Sequence, residues 1–284
     1  MKKLYGLAMS GVSGNMMVGA LLDYGVPFEY FENELAKLNL GGFSLIHEKQ
    51  NKSGVEGTYF NVALDPHYKA HSVKIESAEL KFAKEESAVH HLGHKIMGRI
   101  HGHGEHRGYM EIKAIIEAAD LSPWVKEKAI EAFTHLGHAE AKAHNTTLEA
   151  VHFHEVGAID CIIDIVGTMI CLDYLKVTSV QFSPLHVGHG KVRCAHGLMD
   201  IPTPATKNLL EGFPTYVTPV KGELVTPTGA ALVKTLQAEP YGPMADSKLM
   251  DVVVQMMNDA EASKHKGVGL GTMELPIPNV FTLY

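Results

Sequence analysis

A chain of 284 residues with 45% hydrophobic side chains is long enough to bury one large core or two small ones. Its formal net charge of −7 gives no electrostatic support to nonspecific nucleic-acid binding, and no apolar run reaches the roughly 18 residues of a membrane span. Three scattered cysteines are too few for a disulfide framework, so we expect a cytoplasmic protein with reduced thiols.

The N-terminal half of the chain predicts a strand, two helices and a hairpin before a polar segment. A strand is predicted at 2–9, and Gly41-Gly42 ends the second of the two helices that follow it. The remaining predictions are helices at 15–24 and 28–38, a hairpin of strands at 43–50 and 55–64, a histidine-rich loop at 84–107, and helices at 111–119 and 122–144, the last opened by Ser122 and Pro123.

The C-terminal half predicts one buried helix followed by short alternating elements. The almost wholly apolar run at 157–175 is typical of a buried helix. After it we predict strands at 179–183, 251–256 and 279–284 and helices at 204–210 and 226–237. This order indicates a mixed α/β or α+β architecture, with helices packed on a mixed sheet of unknown strand order.

We divide the chain into three parts on these grounds. They are an N-terminal α/β part with the hairpin (1–80), the histidine-rich loop (81–107) and a main α/β part around the buried helix (108–284).

Two carboxylates lie in the apolar run of the buried helix. Asp160 and Asp164 are four residues apart, so they share one helix face, and like charges that close repel each other. A bound cation relieves that repulsion, and the preceding His152, His154 and Glu155 have the side chains to complete its shell. The structural alternative is that backbone N–H groups or an arginine pair with each aspartate.

Histidine is unusually frequent, with eighteen residues in the chain. Six of them fall within the seventeen residues 90–106, and imidazole is the commonest metal ligand near neutral pH. The alternative is a solvated loop with incidental metal affinity. The candidate metal ligands of this segment are His90, His94, His101, His103 and His106.

Two glycine-rich segments precede helices and are candidate anion sites, because free N–H groups and the helix dipole favour an anion there. The first contains Ser10, Gly11, Ser13 and Gly14, and its alternative is a tight turn that requires glycine. The second contains Glu223, Thr226 and Thr228, although Thr226 as a cap explains much of it through helix initiation alone. Arg193, near His196, has the geometry to bind a carboxylate or a phosphate bidentately, unless it forms a surface ion pair.

Taken together, these segments resemble the LarC-type nickel-insertion proteins, which mature the nickel-pincer nucleotide cofactor of lactate racemase. Six ordered motifs over nearly the whole chain carry the resemblance. They are SGVSGNM (10–16), HRGYMEI (106–112), HFHEVGAIDCIIDIVG (152–167), RCAHGL (193–198), IPTPAT (201–206) and GELVTPTGA (222–230).

The resemblance implies CTP-dependent insertion of nickel into a pyridinium bis-thiocarboxylate mononucleotide, with Mg²⁺ or Mn²⁺ accompanying CTP. It also implies a CTP-binding C-terminal domain, expected here on a separate polypeptide, and it allows a homo-oligomer. Metallation of a ring carbon needs a base for the ring proton, for which Glu155 and His154 are candidates, while Asp160 and Asp164 hold the cation. Arg107 is implied on the substrate side.

Three positions depart from the family pattern. Leu7 and Asn15 stand where the family has aspartates, which puts full catalytic competence in question, and Glu111 replaces an aspartate. Two other functions fit the same residues: a noncatalytic nickel chaperone or store that uses the histidine-rich loop, and a divalent-metal phosphohydrolase built on the carboxylates.

Overall fold

The computed structural model describes residues 2–65, 107–151, 153, 158–194, 197–239 and 246–284. Eight helices lie within these residues and are numbered here in chain order. They are α1 (Gly14–Asp23), α2 (Phe28–Ala36), α3 (Tyr109–Ala118), α4 (Pro123–His144), α5 (Ile159–Leu175), α6 (Pro204–Leu209), α7 (Pro227–Leu236) and α8 (Asp246–Ala262).

Twelve strands lie within the same residues, and six of them form one sheet. The six are β1 (Lys2–Leu7), β2 (Phe43–Lys52), β3 (Val55–Leu64), β4 (Val177–Phe182), β11 (Gly267–Leu270) and β12 (Val280–Leu283). The short ones are β5 (Leu185–His186), β6 (Gly188–His189), β7 (Lys191–Cys194), β8 (Gly197–Asp200), β9 (Thr215–Tyr216) and β10 (Gly222–Glu223).

The six-stranded sheet has the order β2-β3-β11-β12-β1-β4 and mixes both strand directions. β1 is parallel to β4, and β11 is parallel to β3, whereas the β2–β3, β11–β12 and β1–β12 pairs are antiparallel. The expected mixed sheet covered by helices is confirmed, and the fold is α+β. The sheet joins strands from both ends of the chain, so its order depends on contacts that sequence periodicity does not report.

Helix α1 lies directly on the sheet because glycines let the two backbones touch. A Cβ atom on Gly269 of β11 would lie 1.8 Å from the carbonyl oxygen of Met16, which leaves no room for any other residue. At its C-terminal end, α1 is tied to β3 and β11 by Asp23, which accepts hydrogen bonds from the Thr58 hydroxyl (2.8 Å) and the Val268 N–H (2.8 Å). Helix α5 packs against α1, so the sheet and α1 together fix the position of α5.

The predicted helix starts at Ser122 and Thr226 are confirmed in atomic detail. The Ser122 hydroxyl accepts the N–H of Val125 (3.3 Å), and the Thr226 hydroxyl accepts the N–H of Gly229 (3.1 Å). In both cases proline occupies the first turn, where its missing N–H costs nothing.

The predicted strand at 251–256 is wrong, because these residues belong to α8. The run of valines favours a strand locally, but Leu249, Val253, Met256 and Ala260 are buried at helical spacing. Tertiary burial of that stripe outweighs the strand propensity of the β-branched residues. The strand β11, which has four residues and is buried throughout, has no counterpart among the predicted strands.

No helix among the described segments is long and apolar enough to cross a lipid bilayer.

His186 connects β5 to the loop after β1 through a side-chain hydrogen bond. Its side chain is 1% exposed, Nδ1 lies 2.8 Å from the carbonyl oxygen of Met9, and Nε2 lies 2.9 Å from the hydroxyl oxygen of Thr218. A neutral ring satisfies both contacts, with Nδ1–H donating to the carbonyl and Nε2 accepting from the hydroxyl. Burial lowers the pKa of His186, and the nearby His189 lowers it further, against the opposing effect of the Met9 carbonyl.

We therefore expect His186 to make the protein less stable in mild acid. The unfolded chain binds a proton at His186 near pH 6.5, while the folded chain binds it only at lower pH, so the free energy of unfolding falls as the pH drops below about 6.5. The limiting slope for one proton is about 1.4 kcal/mol per pH unit. Urea unfolding of wild type and His186→Gln between pH 5 and 8 measures the effect, and equal pH slopes in the two proteins would contradict it.

Candidate functional site

Asp164 lies in the second turn of α5 and faces the start of α1. A Cβ atom on Gly14 would lie 2.4 Å from Oδ2 of Asp164, and the backbone N–H of Asn15 donates to the carboxylate. The other oxygen, Oδ1, is buried and has no hydrogen-bond partner in the part of the chain that the structure describes. One oxygen of this carboxylate is therefore held by the N-terminus of a helix, and the other lacks the partner that a buried anion needs.

Burial raises the pKa of Asp164 well above the ordinary range of an aspartate, and the negative charge of Asp160 raises it further. The N–H of Asn15 acts in the opposite direction but is outweighed. Within the described residues, no ion pair with a lysine or arginine relieves the charge. A cation beside Oδ1 would supply both the missing partner and the missing charge.

Asp160 occupies the first turn of α5 and is exposed, so the expectation that both aspartates are sunk in the core is wrong for this one. Ile159, Cys161 and Ile162 of the same turn are buried, so only the side of the turn that carries Asp160 is exposed. Desolvation on its inner side still raises the pKa of Asp160, against the N–H groups of Cys161 and of Asp160 itself. The two aspartates interact, as their spacing predicts, with Asp160 at the outer end.

Most of the other predicted metal ligands lie outside the described residues. Phe153 is described, and its N–H donates to the carbonyl of Arg107 (3.3 Å), so this part of the histidine motif adjoins the HRGYMEI motif. Among the described residues, no group of three or more His, Cys, Asp or Glu side chains forms a metal centre. The predicted residues outside the description are His90, His94, His101, His103, His106, His152, His154, Glu155 and His196.

The serine hydroxyls of the Ser10–Gly14 loop contact the protein itself. The Ser10 hydroxyl donates to the carbonyl of Pro278, and that of Ser13 donates to Oδ1 of Asn15 (2.6 Å). Gly11 has φ +79°, and a Cβ there would lie 1.9 Å from the carbonyl oxygen of Leu224. Both glycine-rich segments are thus packed against each other, and the positive φ of Gly11 agrees with the tight turn raised as the structural alternative. Their role toward substrate stays a prediction.

The start of α7 is joined to the start of α5 by one contact between side chains. The Thr228 hydroxyl donates to Sγ of Cys161 at 3.3 Å, and Cys161 follows Asp160 directly. Burial raises the pKa of the Cys161 thiol well above its ordinary value, so this cysteine is protonated and inert near neutral pH. The loop before α1 and the starts of α5 and α7 therefore meet around Asp164.

The predicted substrate-side arginines have different environments. Arg107 is 7% exposed, and its Nε lies 3.9 Å from Oε1 of Glu111. Arg193 is exposed, and together with Glu223 it lines a cavity of about 290 Å³.

Two residues of that cavity, Glu140 and His144, were missed by the sequence analysis. They stand four residues apart near the end of α4, with His144 Nε2 at 3.5 Å from Glu140 Oε2. Their helical spacing was the available signal.

Of the three positions that differ from the expected family pattern, Asn15 and Leu7 lie in different surroundings. Asn15 adjoins Asp164, and its Nδ2 donates to the carbonyl of Phe60 (3.3 Å). An aspartate at position 15 would add a further charge there, so asparagine lowers the local repulsion. Leu7 instead belongs to a separate apolar cluster with Met256 and Ala260 of α8.

The chain is similar to known proteins along almost its whole length. The family model for nickel insertion proteins matches residues 4–284. The chain is 39% identical over 283 residues to the pyridinium-3,5-bisthiocarboxylic acid mononucleotide nickel insertion protein of Desulfitobacterium hafniense (strain DSM 10664 / DCB-2), with 100% of this chain and 58% of that protein covered. Proteins of the same name from Geobacillus kaustophilus (40% over 281 residues, 99% and 58% covered) and Clostridium acetobutylicum (38% over 286 residues, 100% and 64% covered) are similarly close.

The chain spans less than two thirds of the length of these relatives. No solved structure matches it. Because the match extends over almost the whole chain, this protein belongs to the nickel insertion protein family.

Proposed function

We propose that this chain binds nickel at the start of α5 and takes part in its insertion into pyridinium-3,5-bisthiocarboxylic acid mononucleotide. The observation that carries the proposal is Asp164, a buried carboxylate with one unpartnered oxygen and a like charge beside it. A buried carboxylate with an unpartnered oxygen lowers the stability of the folded protein unless a cation binds to that oxygen. The relatives at 38–40% identity carry the name of that activity.

The nickel ligands proposed with Asp164 are Asp160, His152, His154 and Glu155. Only three peptide units separate Glu155 from Ala158, so its Cα lies within about 11 Å of the first residue before α5. Imidazole and carboxylate groups together suit a divalent first-row metal. The histidines between 90 and 106 are proposed to collect nickel and pass it to this site.

The insertion exchanges a ring proton for nickel. The C4–H bond of the pyridinium ring breaks, its electron pair forms the nickel–carbon bond, and the proton passes to a base, while nickel remains divalent and gains two sulfur ligands. Glu155 and His154 are the proposed bases, because they adjoin the proposed ligands in the chain. The reaction would class the protein as a lyase of the cyclometallase type.

CTP with Mg²⁺ or Mn²⁺ is a further reactant that the family resemblance implies. We assign the nucleotide to the portion that the longer relatives have in addition, on this or another polypeptide, and assign no step to it. A cytoplasmic location is proposed because the three described cysteines form no disulfide, which suits a reducing compartment.

Nickel transfer by Asp160→Ala tests the proposal. The protein is incubated with the C-terminal portion of a longer relative, Ni²⁺, the mononucleotide and MgCTP, and the nickel-bearing product is measured by mass spectrometry. We expect Asp160→Ala to lose transfer and Asp173→Ala, on the same helix but paired with Lys176, to retain it. Full transfer by Asp160→Ala would overturn the assignment.

Two further measurements separate the alternatives. Deletion of residues 90–103 should leave one tight nickel site, whereas a nickel store would lose nearly all bound metal. Phosphate release from simple nucleotides without a nickel acceptor would instead indicate a phosphohydrolase.

A further inference from the structure

A cavity of about 290 Å³ opens between the end of α4 and the β7–β8 hairpin. Its walls come from α4, the hairpin, β10 and the starts of α6 and α7. Ligand pockets in proteins range from about 300 to 1,000 Å³, so this one is at the small end. Its size favours a small ligand such as a mononucleotide.

The charges on its walls have both signs. Arg193 lines it from the hairpin, while Glu140 of α4 and Glu223 of β10 contribute carboxylates. The Glu140 side chain is 16% exposed, so its charge is only partly screened by water. A ligand with one sign of charge would be repelled by one part of the lining. A ligand that joins a phosphate monoester to a cationic ring complements both.

The cavity borders the start of α5. Pro227 lines it, and the next residue, Thr228, donates its hydroxyl to Cys161. Burial raises the pKa of the Cys161 thiol most, and the negative charges of Asp160, Asp164 and Glu140 raise it further. All three carboxylates therefore lie near this thiol. Glu140 therefore faces the cavity and also lies near the pair of aspartates.

We propose that this cavity binds a pyridinium mononucleotide, with the phosphate at Arg193 and the cationic ring beside Glu140 and Glu223. The inference rests on the proposed function, because it identifies where that function's substrate lies. It places the ring on the side of the cavity that borders Asp160 and Asp164. The Ser10–Gly14 loop, whose serine hydroxyls are engaged within the protein, is not needed for binding.

Three available ligands distinguish the contact with the phosphate from the contact with the cationic ring. Their binding is measured by calorimetry. Nicotinamide mononucleotide has the phosphate and the cationic ring, nicotinamide riboside lacks the phosphate, and uridine monophosphate lacks the ring cation. We expect Arg193→Ala to weaken the nicotinamide mononucleotide about 10- to 100-fold and to leave the riboside unchanged. Glu140→Gln should weaken both nicotinamide ligands and leave uridine monophosphate unchanged.

Matched controls lie on the same elements. Lys191→Ala removes a positive charge from the same hairpin, where Lys191 pairs with Asp200, and Glu131→Gln removes a carboxylate from α4, where Glu131 pairs with Lys128. Neither residue lines the cavity. Both controls should bind all three ligands as wild type does. Near-wild-type melting temperatures would show that the variants fold.

Two outcomes would overturn the inference: no binding of nicotinamide mononucleotide by wild type at millimolar concentration, or equal losses for all three ligands in Arg193→Ala. Nickel titration of the same variants keeps the proposed function separate. Arg193→Ala should retain wild-type nickel affinity. If wild type bound the mononucleotide while nickel affinity did not depend on Asp164, the proposed binding cavity would be supported and the proposed nickel site would be wrong.

Discussion

Replacing Asp164 with asparagine is expected to lower nickel affinity at least about 100-fold, more than the 10- to 100-fold typical of residues that only support a metal ligand. Asparagine keeps an oxygen that can accept the Asn15 N–H but removes the charge at the buried, unpartnered Oδ1. The same change should not weaken the metal-free fold, since the raised pKa of Asp164 already favours a neutral carboxyl there and a neutral amide replaces it. We therefore expect nickel affinity to fall, while the free energy of unfolding of the metal-free protein stays the same or rises.

Calorimetric nickel titration and chemical unfolding in chelator test this prediction together. Asp173→Asn is the matched control, because it removes a carboxylate from the same helix at the end away from Asp164. A nickel affinity of Asp164→Asn within a few-fold of this control would contradict the proposed site. A large loss of stability would instead show that the carboxylate has a structural partner.

The second large effect is expected from Gly14→Ala. An added Cβ would lie 2.4 Å from Oδ2 of Asp164 and 2.6 Å from its Cβ, so the aspartate has to move. Within a helix, alanine is normally favoured over glycine by about 1 kcal/mol, which makes any loss attributable to the clash. We expect nickel affinity to fall about 10- to 100-fold, as when a metal ligand loses its support. The free energy of unfolding should fall by about 1–3 kcal/mol.

Gly137→Ala provides the control for that clash. Gly137 is also a buried helical glycine, and its nearest atom to an added Cβ is also 2.4 Å away. That atom is the terminal Cδ1 of Leu148, which can rotate, rather than a carboxylate fixed between two helices. Nickel affinity should stay at the wild-type value in Gly137→Ala. Equal nickel affinities in the two variants would mean that Gly14 does not position Asp164.

Local chemistry made several elements predictable from the sequence. Ser122 and Thr226 begin their helices as predicted because a hydroxyl cap followed by proline has few alternatives. The hairpin at Ser53–Gly54 is confirmed, with Lys52 opposite Val55. The strand prediction for residues 251–256 is wrong because strand propensity and helical burial favour different structures there. Only the tertiary contacts of α8 decide between them.

The candidate site was predictable where one helix carries it and less so where distant segments meet. Asp164 stood out as a carboxylate in an apolar run, but the exposure of Asp160 between buried Ile159 and Cys161 depends on tertiary packing. Glu140 and His144 have the spacing of an ordinary surface pair on a helix. Their relation to Arg193 arises only from packing of the β7–β8 hairpin near α4, which no local pattern reports.

Anomalous scattering at the nickel absorption edge, from crystals grown with Ni²⁺, tests the nickel site most directly. We expect a peak about 2 Å from Oδ1 of Asp164, the usual distance between a divalent first-row metal and a carboxylate oxygen. Asp160 should lie on the same ion or be bridged to it by water. Full occupancy by nickel at the histidines of 90–106, with no peak near Asp164, would contradict nickel binding at the start of α5.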